Sequence, residues 1–590
     1  MLGRSTRLAP FTSLVLFLAA GRALAEEPAA TDKEPRAPAV GTASAATEEP
    51  AVPEDLDRLV FDSGRIPTPK PAADQLQINV RGELQLRAQG MRSFPLDVTA
   101  STLDTHPGAI SDSLGQKGFF TQWVRLTPRL QYRDWLQVVM QLNLFGNYVF
   151  GDTSHDVSPD YAARDDAGDA WSYVQLRWLY AQFLSKIGLI RVGQMSNHWG
   201  SGILANDGDH PSLFGDYRNG NLVEQILFAT RPAGKESPYV VALGGNVVYQ
   251  DPEARLYRGD VAAQGILAGY YEKGPNQLGV FAVLRSQNTS KTSVPYAGYA
   301  DSLTAGAIDL AGHFAAPIPG SSTTYVYGAG EVAFIIGSTN ELRTPDQALT
   351  GQQTEIRSYG AVAHLGVVHE ARCSTCPPMQ VPTQKGPLSA AEDPQTWGDI
   401  AAQLEVGYAS GDANPYDDTE HRFTFDPNHK VGLLLFDEVM RWETARASAA
   451  AQDPLLANGT RPTPGVNLLP SQGGVFGAQY LYPTIIVRPQ PWVDLKAGAV
   501  IAGTTADFVD PYRVATQGSY VNYRGGDPRR HDLGLELDGG FEFRFRLDRA
   551  LRVQLGAQAG VLFPGGAFAD SAGNIMSAPW IVVGRAGLQF

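Results

Sequence analysis

Arginine is placed in this chain where it could hold an anion. Arg81 and Arg87 share alternate positions with Gln77, Asn79, Glu83, Gln85 and Gln89, and Arg125, Arg129, Arg177 and Arg191 fall on the polar side of the alternating stretches that follow. A guanidinium is a rigid fork of N–H donors that grips carboxylate or phosphate. Basic side chains that line a passage favour anions. Lys496, Arg544, Arg546, Arg552 and Arg585 occupy equivalent positions toward the C-terminus, and Asp309, Glu331, Glu405, Asp494, Glu536, Asp538 and Glu542 are the acidic groups of the same faces. The expected lining is Arg81, Arg87, Arg125, Arg129, Arg177, Arg191, Glu405, Glu536, Asp538, Arg544 and Arg552. The bland alternative is that these charges pair with one another and brace a wall.

The elements that would carry them are strands. From Leu76 the polar residues alternate with Ile78, Val80, Gly82, Leu84, Leu86 and Ala88. Later, Glu536, Asp538, Glu542 and Arg544 alternate with Leu535, Leu537, Phe541, Phe543 and Phe545. Alternation over about 10 residues is the length of a membrane-crossing strand, whereas strands of soluble sheets usually run about 5–6. Similar stretches begin near 76, 119, 135, 172, 187, 222, 238, 261, 277, 303, 323, 356, 397, 475, 492, 531, 550 and 578, giving about 18 strands. Short joints such as Arg133-Asp134, Ser185-Lys186 and Asp548-Arg549 alternate with long polar ones over 90–118, 147–171, 195–221, 411–474 and 506–530. That asymmetry predicts an all-β fold: one antiparallel transmembrane barrel over 76–590, with long external loops and short turns at the other rim. The joint 371–396 is too long for a short turn and is expected either to hide a strand pair or to have a role of its own.

Composition excludes other classes. Hydrophobic residues make up 43% of 590, yet beyond residue 25 no apolar run approaches the roughly 20 residues of a spanning helix. The net charge of −14 argues against nucleic acid as a partner. Residues 1–25, with Arg4 and Arg7, an apolar middle and Ala23-Leu24-Ala25, have the layout of a secretory signal peptide. Residues 26–75 are rich in Pro, Ala and Glu and are expected to be a disordered tail.

The remaining chemistry is weaker. Asp152, Asp156, Asp160, Asp165, Asp166 and Asp169 crowd one loop, and Asp207, Asp209 and Asp216 another. Carboxylates suit Ca²⁺ or Mg²⁺, but the spacing lacks a dedicated ligand pattern, so solvated loop charge is expected. Cys373 and Cys376 are expected to form a local disulfide in an oxidising compartment, the alternatives being free thiols or a zinc site with His364 and His369. Phe436 to Ala450 reads as a helix inside a long loop, able to fold into the barrel mouth or lie on the surface as a lid. No nucleophile and base are visibly matched, so no enzyme and no cofactor are expected.

Two resemblances narrow the reading. The last strand, Trp580 to Phe590, ends on an aromatic residue and resembles the C-terminal signal by which Gram-negative outer-membrane barrels are recognised for insertion, with Phe590 as its key residue. Leu189-Ile-Arg-Val-Gly-Gln-Met-Ser-Asn-His-Trp-Gly-Ser-Gly-Ile203, Tyr408-Ala-Ser-Gly-Asp412 with Thr424-Phe-Asp426, and Leu533-Gly-Leu-Glu536 to Phe563-Pro-Gly565 resemble segments of the alginate-export family of porin-like barrels. Gln194 stands where that family usually has Arg. The resemblance implies an 18-stranded barrel that passes an anionic polysaccharide through a basic pore. The expected protein is an outer-membrane porin for passive passage of small polar or anionic solutes, up to an acidic saccharide. Its partners would be outer-membrane lipid, lipopolysaccharide and the barrel assembly machinery. A plugged barrel acting as adhesin or structural protein, and a barrel-housed lipid-modifying enzyme, are the competing expectations. The loops 411–474 and 371–396 are the candidates to gate or plug it.

Overall fold

The computed structural model describes residues 76–93, 116–133, 135–151, 174–210, 212–216, 220–234, 236–273, 276–289, 302–321, 323–340, 352–369, 399–415, 417–441, 443–444, 471–490, 492–547 and 551–590. The proposed signal peptide and tail, Cys373 and Cys376, the aspartates of 152–169 and the joint 371–396 lie outside them.

The period-two segments form strands β1 (Leu76–Arg92), β2 (Gln116–Tyr132), β3 (Leu136–Gly151), β4 (Val174–Leu184), β5 (Leu189–Met195), β6 (Leu222–Thr230), β7 (Tyr239–Gln250), β8 (Asp260–Lys273), β9 (Asn276–Thr289) and β10 (Ser302–Pro317). They continue as β11 (Thr324–Thr339), β12 (Thr354–His369), β13 (Asp399–Ala409), the two-residue β14 (Thr419–Glu420), β15 (Ala478–Gln490), β16 (Val493–Thr504), β17 (Asp532–Arg546), β18 (Arg552–Pro564) and β19 (Trp580–Gln589). Each long strand pairs antiparallel with its neighbours in sequence, β13 with β15 across the loop that contains β14, and β19 returns to β1, with Leu84 opposite Leu588 and Arg92 opposite Trp580. Closure leaves no free sheet edge, which is the condition for strands to cross lipid. β14 pairs parallel with the first residues of β12, Glu355 and Ile356, and adds nothing to the ring. The eighteen long strands are the ones that alternation predicts.

Burial runs opposite to that of a soluble protein. Ile226, Leu243, Leu267, Leu284, Ile336 and Leu365 are exposed on the outer face, while Arg125, Arg129, Gln131 and Gln141 are buried on the inner one. A continuous exposed apolar band of this kind marks a lipid-facing surface. Trp135, Tyr239, Tyr271, Phe314 and Trp492 are exposed near the short-turn rim, where amphipathic rings suit the membrane–water interface. Among the described residues no helix is long and apolar enough to cross a membrane.

The terminal aromatic completes the closure. The Phe590 N–H donates to the Gly82 carbonyl (2.9 Å), and the Gly82 N–H donates to the Phe590 carbonyl (2.7 Å). The ring lies over Gly82, where a Cβ would fall 2.1 Å from its Cζ. A Gly82→Val substitution therefore expels the ring from its seat, an overpacking cost of about 1–3 kcal/mol. The expected result is a lower yield of folded, heat-modifiable barrel on electrophoresis, and a yield equal to wild type would contradict this seat for Phe590.

Candidate functional site

β1 to β5 are consecutive neighbours, so their inward arginines share one wall. Counted from the short-turn rim, Arg191 and Arg129 lie lowest, Arg81 above them, Arg125 and Arg177 higher, and Arg87 highest. Arg87, Arg125, Arg129, Arg177 and Arg191 are buried, and Arg81 is half-buried. A bulge aims Arg177: Gln141 pairs with Trp178 and Leu142 with Leu176, so Arg177 has no residue opposite it and turns inward together with Trp178. Gln194 holds that bulge by donating to the carbonyls of Leu176 (2.8 Å) and Arg177 (3.2 Å). The residue that departs from the alginate-export pattern thus has a structural task here.

Neutral amides orient three of these guanidiniums, Arg125 among them through Nε to Asn143 Oδ1 (2.9 Å). Arg177 Nη1 donates to Gln141 Oε1 (2.5 Å), and Arg191 donates to Gln182 Oε1 from Nε (3.1 Å) and Nη2 (2.8 Å). Such bonds fix position without cancelling charge. Arg125 lies over the Trp123 ring (4.7 Å) and Arg191 over Tyr180 (4.9 Å), contacts that suit the planar cation.

The described residues between β5 and β6 (196–210, 212–216 and 220–221) cross the lumen. At one end Glu331 of β11 accepts the N–H groups of Ser201 (2.5 Å) and Ile203 (3.2 Å), and Asp309 of β10 accepts the Trp199 indole N–H (3.1 Å). At the other end Asp209 pairs with Arg125 (2.5 Å), and Asp216 pairs with Arg87 of β1 and with Arg585 of β19 (2.8 Å). β11 and β1 stand nearly opposite each other in the ring, so the loop spans from one wall to the other. This corrects the reading of Asp207, Asp209 and Asp216 as solvated loop charge. Asp207 is fully buried, and its carbonyl accepts from Arg177 Nη2. Burial alone would push the Asp207 carboxyl up, but the adjacent His210 and His198 outweigh it and hold it at about 2.

The described parts of a second loop, 410–415, 417–441, 443–444 and 471–477, also fold inward. Leu435–Met440 forms a short π-helical turn, buried against Val500, Leu562 and Ile581 of the wall. Glu536 of β17 accepts the three successive N–H groups at its start, from Leu433 (2.6 Å), Leu434 (2.7 Å) and Leu435 (2.6 Å). Gly432, at φ +71°, makes the turn, and a Cβ there would fall 2.6 Å from Glu536 Oε1. Asp538 sits beside Glu536 beneath Leu433. Glu405 of β13 accepts the Tyr480 hydroxyl (2.7 Å) and lies 3.3 Å from His429 Nε2. Of the alternatives for the helix predicted over 436–450, its described part is the inward-folded one. The two loops also meet, through the Asp426 N–H to the Ile203 carbonyl (2.8 Å) and His429 Nδ1 to the Ser201 carbonyl (2.9 Å). Glu405, Glu536 and Asp538 thus face inward, where they hold loops. Arg544 pairs with Asp494 (2.8 Å) near the short-turn rim, and Arg552, also half-buried, stands opposite Arg546 in register.

Between the loops and the other wall is a cavity of about 330 Å³. Ile266, Phe281, Val283, Ala305, Ala307 and Ile335 form its apolar side, and Asp251, Glu253, Arg285, Glu420, Arg422 and Asp426 its polar side. Burial pushes Glu420 up to about 7, Asp412 acting with it and Arg422 and His421 against it. Burial likewise pushes Asp426 up to about 7, with Asp251 adding and Asn428 and Lys430 opposing. For His429 burial acts downward, but the Glu405 carboxylate outweighs it and raises the imidazole. All three groups bind a proton more tightly with the loop docked than free. Docking is therefore strongest below their unfolded-chain values and weakens as pH rises through about 7. Hydrogen exchange over 410–441 is expected to be faster at about pH 8 than at about pH 5.5, after correction for intrinsic rates, and the reverse order would contradict this assignment.

No family model matches the chain, and no curated protein matches it. Solved structures similar to it include Acinetobacter baumannii OccAB1 (9% identity, TM-score 0.42, covering 87% of this chain and 97% of that one). Others are Pseudomonas aeruginosa OccK9 (OpdG; 10%, 0.43, 87% and 98%) and the outer membrane channel DcaP of Acinetobacter baumannii (10%, 0.36, 88% and 99%). Likeness at this level does not place the chain in a family.

Proposed function

We propose that this barrel is an outer-membrane channel of a Gram-negative bacterium for passive passage of small anionic solutes. The observation that carries the reading is the ascending series of inward arginines on β1, β2, β4 and β5, four strands of one wall, with three of these arginines bonded to neutral amides. A stepwise series of cations gives an anion several weak sites, which permits entry without trapping. An acidic saccharide is the finer reading, supported by the segments that resemble alginate-export barrels. Liposome swelling with solutes of matched size tests both: glucuronate is expected to enter faster than glucose, and glucosamine slowest. Equal rates for the three would overturn the anion reading. The two lumen-crossing loops favour, as the second reading, a barrel plugged at rest, and that reading predicts no swelling with any of them.

A further inference from the structure

We propose that His198, Asp207 and His210 form a binding site for one divalent transition-metal ion of the zinc class, built into the loop that crosses the lumen. The potential ligand atoms of the three residues lie within 4.8 Å of one another. Two imidazoles and a carboxylate suit Zn²⁺ and its neighbours, and three protein ligands leave a position open for water or solute. His210 Nδ1 is 2.9 Å from Asp207 Oδ1 and His198 Nδ1 is 3.9 Å from it, so the carboxylate already faces both rings. The two rings stack at 3.7 Å between centroids with an interplanar angle of 24°. A metal bound in both ring planes requires the stack to open, so binding would reset the side-chain geometry at this point.

The second and independent sign is Asp207 itself. The residue is fully buried, yet its Oδ2 accepts no hydrogen bond. An idle carboxylate oxygen away from water is costly, and a cation is the natural group to complete it. The backbone on either side is pinned to the arginine wall, through the Asp207 carbonyl to Arg177 and through Asp209 to Arg125. A bound ion would therefore add positive charge beside those arginines and tie the loop more firmly across the lumen.

The test uses the refolded full chain in detergent. Equilibrium dialysis against Zn²⁺ at neutral pH, followed by metal analysis, is expected to give one more equivalent for wild type than for His198→Ala/His210→Ala. Asp207→Asn is expected to weaken binding at least about tenfold. Because the variants could fail to fold, Co²⁺ is added to wild type as well, where the strong visible bands of a four-coordinate nitrogen–oxygen site are expected. Equal zinc content in wild type and folded double variant, no zinc bound to wild type, or only the weak spectrum of six-coordinate Co²⁺ would each overturn the proposal.

Discussion

Glu536→Ala is expected to release the inner loop. The carboxylate satisfies three buried N–H groups, at Leu433, Leu434 and Leu435, of which the neighbouring Asp538 carboxylate reaches the first. Unsatisfied buried donors cost about 1–3 kcal/mol each, less what water entering the new space recovers, so the docked state should lose about 2–4 kcal/mol. That is a factor of roughly 30–1,000 in the ratio of docked to free loop. Apolar burial of Leu433 to Met440 opposes release, but it cannot hydrate those donors. In planar bilayers the variant should show a larger mean conductance with frequent fluctuations, and protease should cut the loop readily. Glu536→Gln keeps one acceptor oxygen and should fall between. Wild-type conductance and protease resistance in Glu536→Ala would show that this clasp does not hold the loop.

The second large effect concerns selectivity. A monovalent anion passing about 7 Å from a guanidinium in water gains about 0.6 kcal/mol, roughly threefold in local occupancy. Salt bridges and mobile ions reduce this at the rim, but less so on a buried wall. Arg125→Ala/Arg129→Ala should thus lower the anion-to-cation permeability ratio roughly three- to tenfold in low salt, and less as salt is raised. Arg125→Ala also frees Asp209, which adds to the change. The matched control is Arg552→Ala at the short-turn rim, expected to change the ratio little. An unchanged ratio in the double variant would assign these arginines a bracing role only.

Much of this fold was legible because one physical rule operates along the whole chain. A strand between lipid and an inner face must alternate, so Ile78, Val80 and Leu84 could be separated from Arg81, Glu83 and Arg87 by parity alone. Expected strand starts fall within three residues of those observed, from 76 to 580. Parity says nothing of what fills the inside. The contacts of Glu331 with Ser201 and of Glu536 with Leu433 join residues more than a hundred positions apart. No local pattern marks such pairs. Asp207 looked like ordinary loop charge because acidic loop residues are usually solvated, and only the inward course of 196–210 buries it. The apolar inner wall at Phe281, Val283 and Ile335 was equally hidden, since inner apolar residues weaken alternation instead of producing a signal. Two signs of the inner loops were in the sequence: the Trp199-Gly-Ser-Gly202 segment and Gly432 before three leucines, both tight turns leading into apolar residues.

The most direct measurement is the reversal potential of single refolded wild-type barrels in a planar bilayer across a steep KCl gradient. A steady or gated conductance is expected, with a reversal potential toward the chloride equilibrium value. A barrel that inserts and stays electrically silent, or one that conducts with a reversal potential toward potassium, would contradict an anion channel lined by Arg81, Arg87, Arg125, Arg129, Arg177 and Arg191.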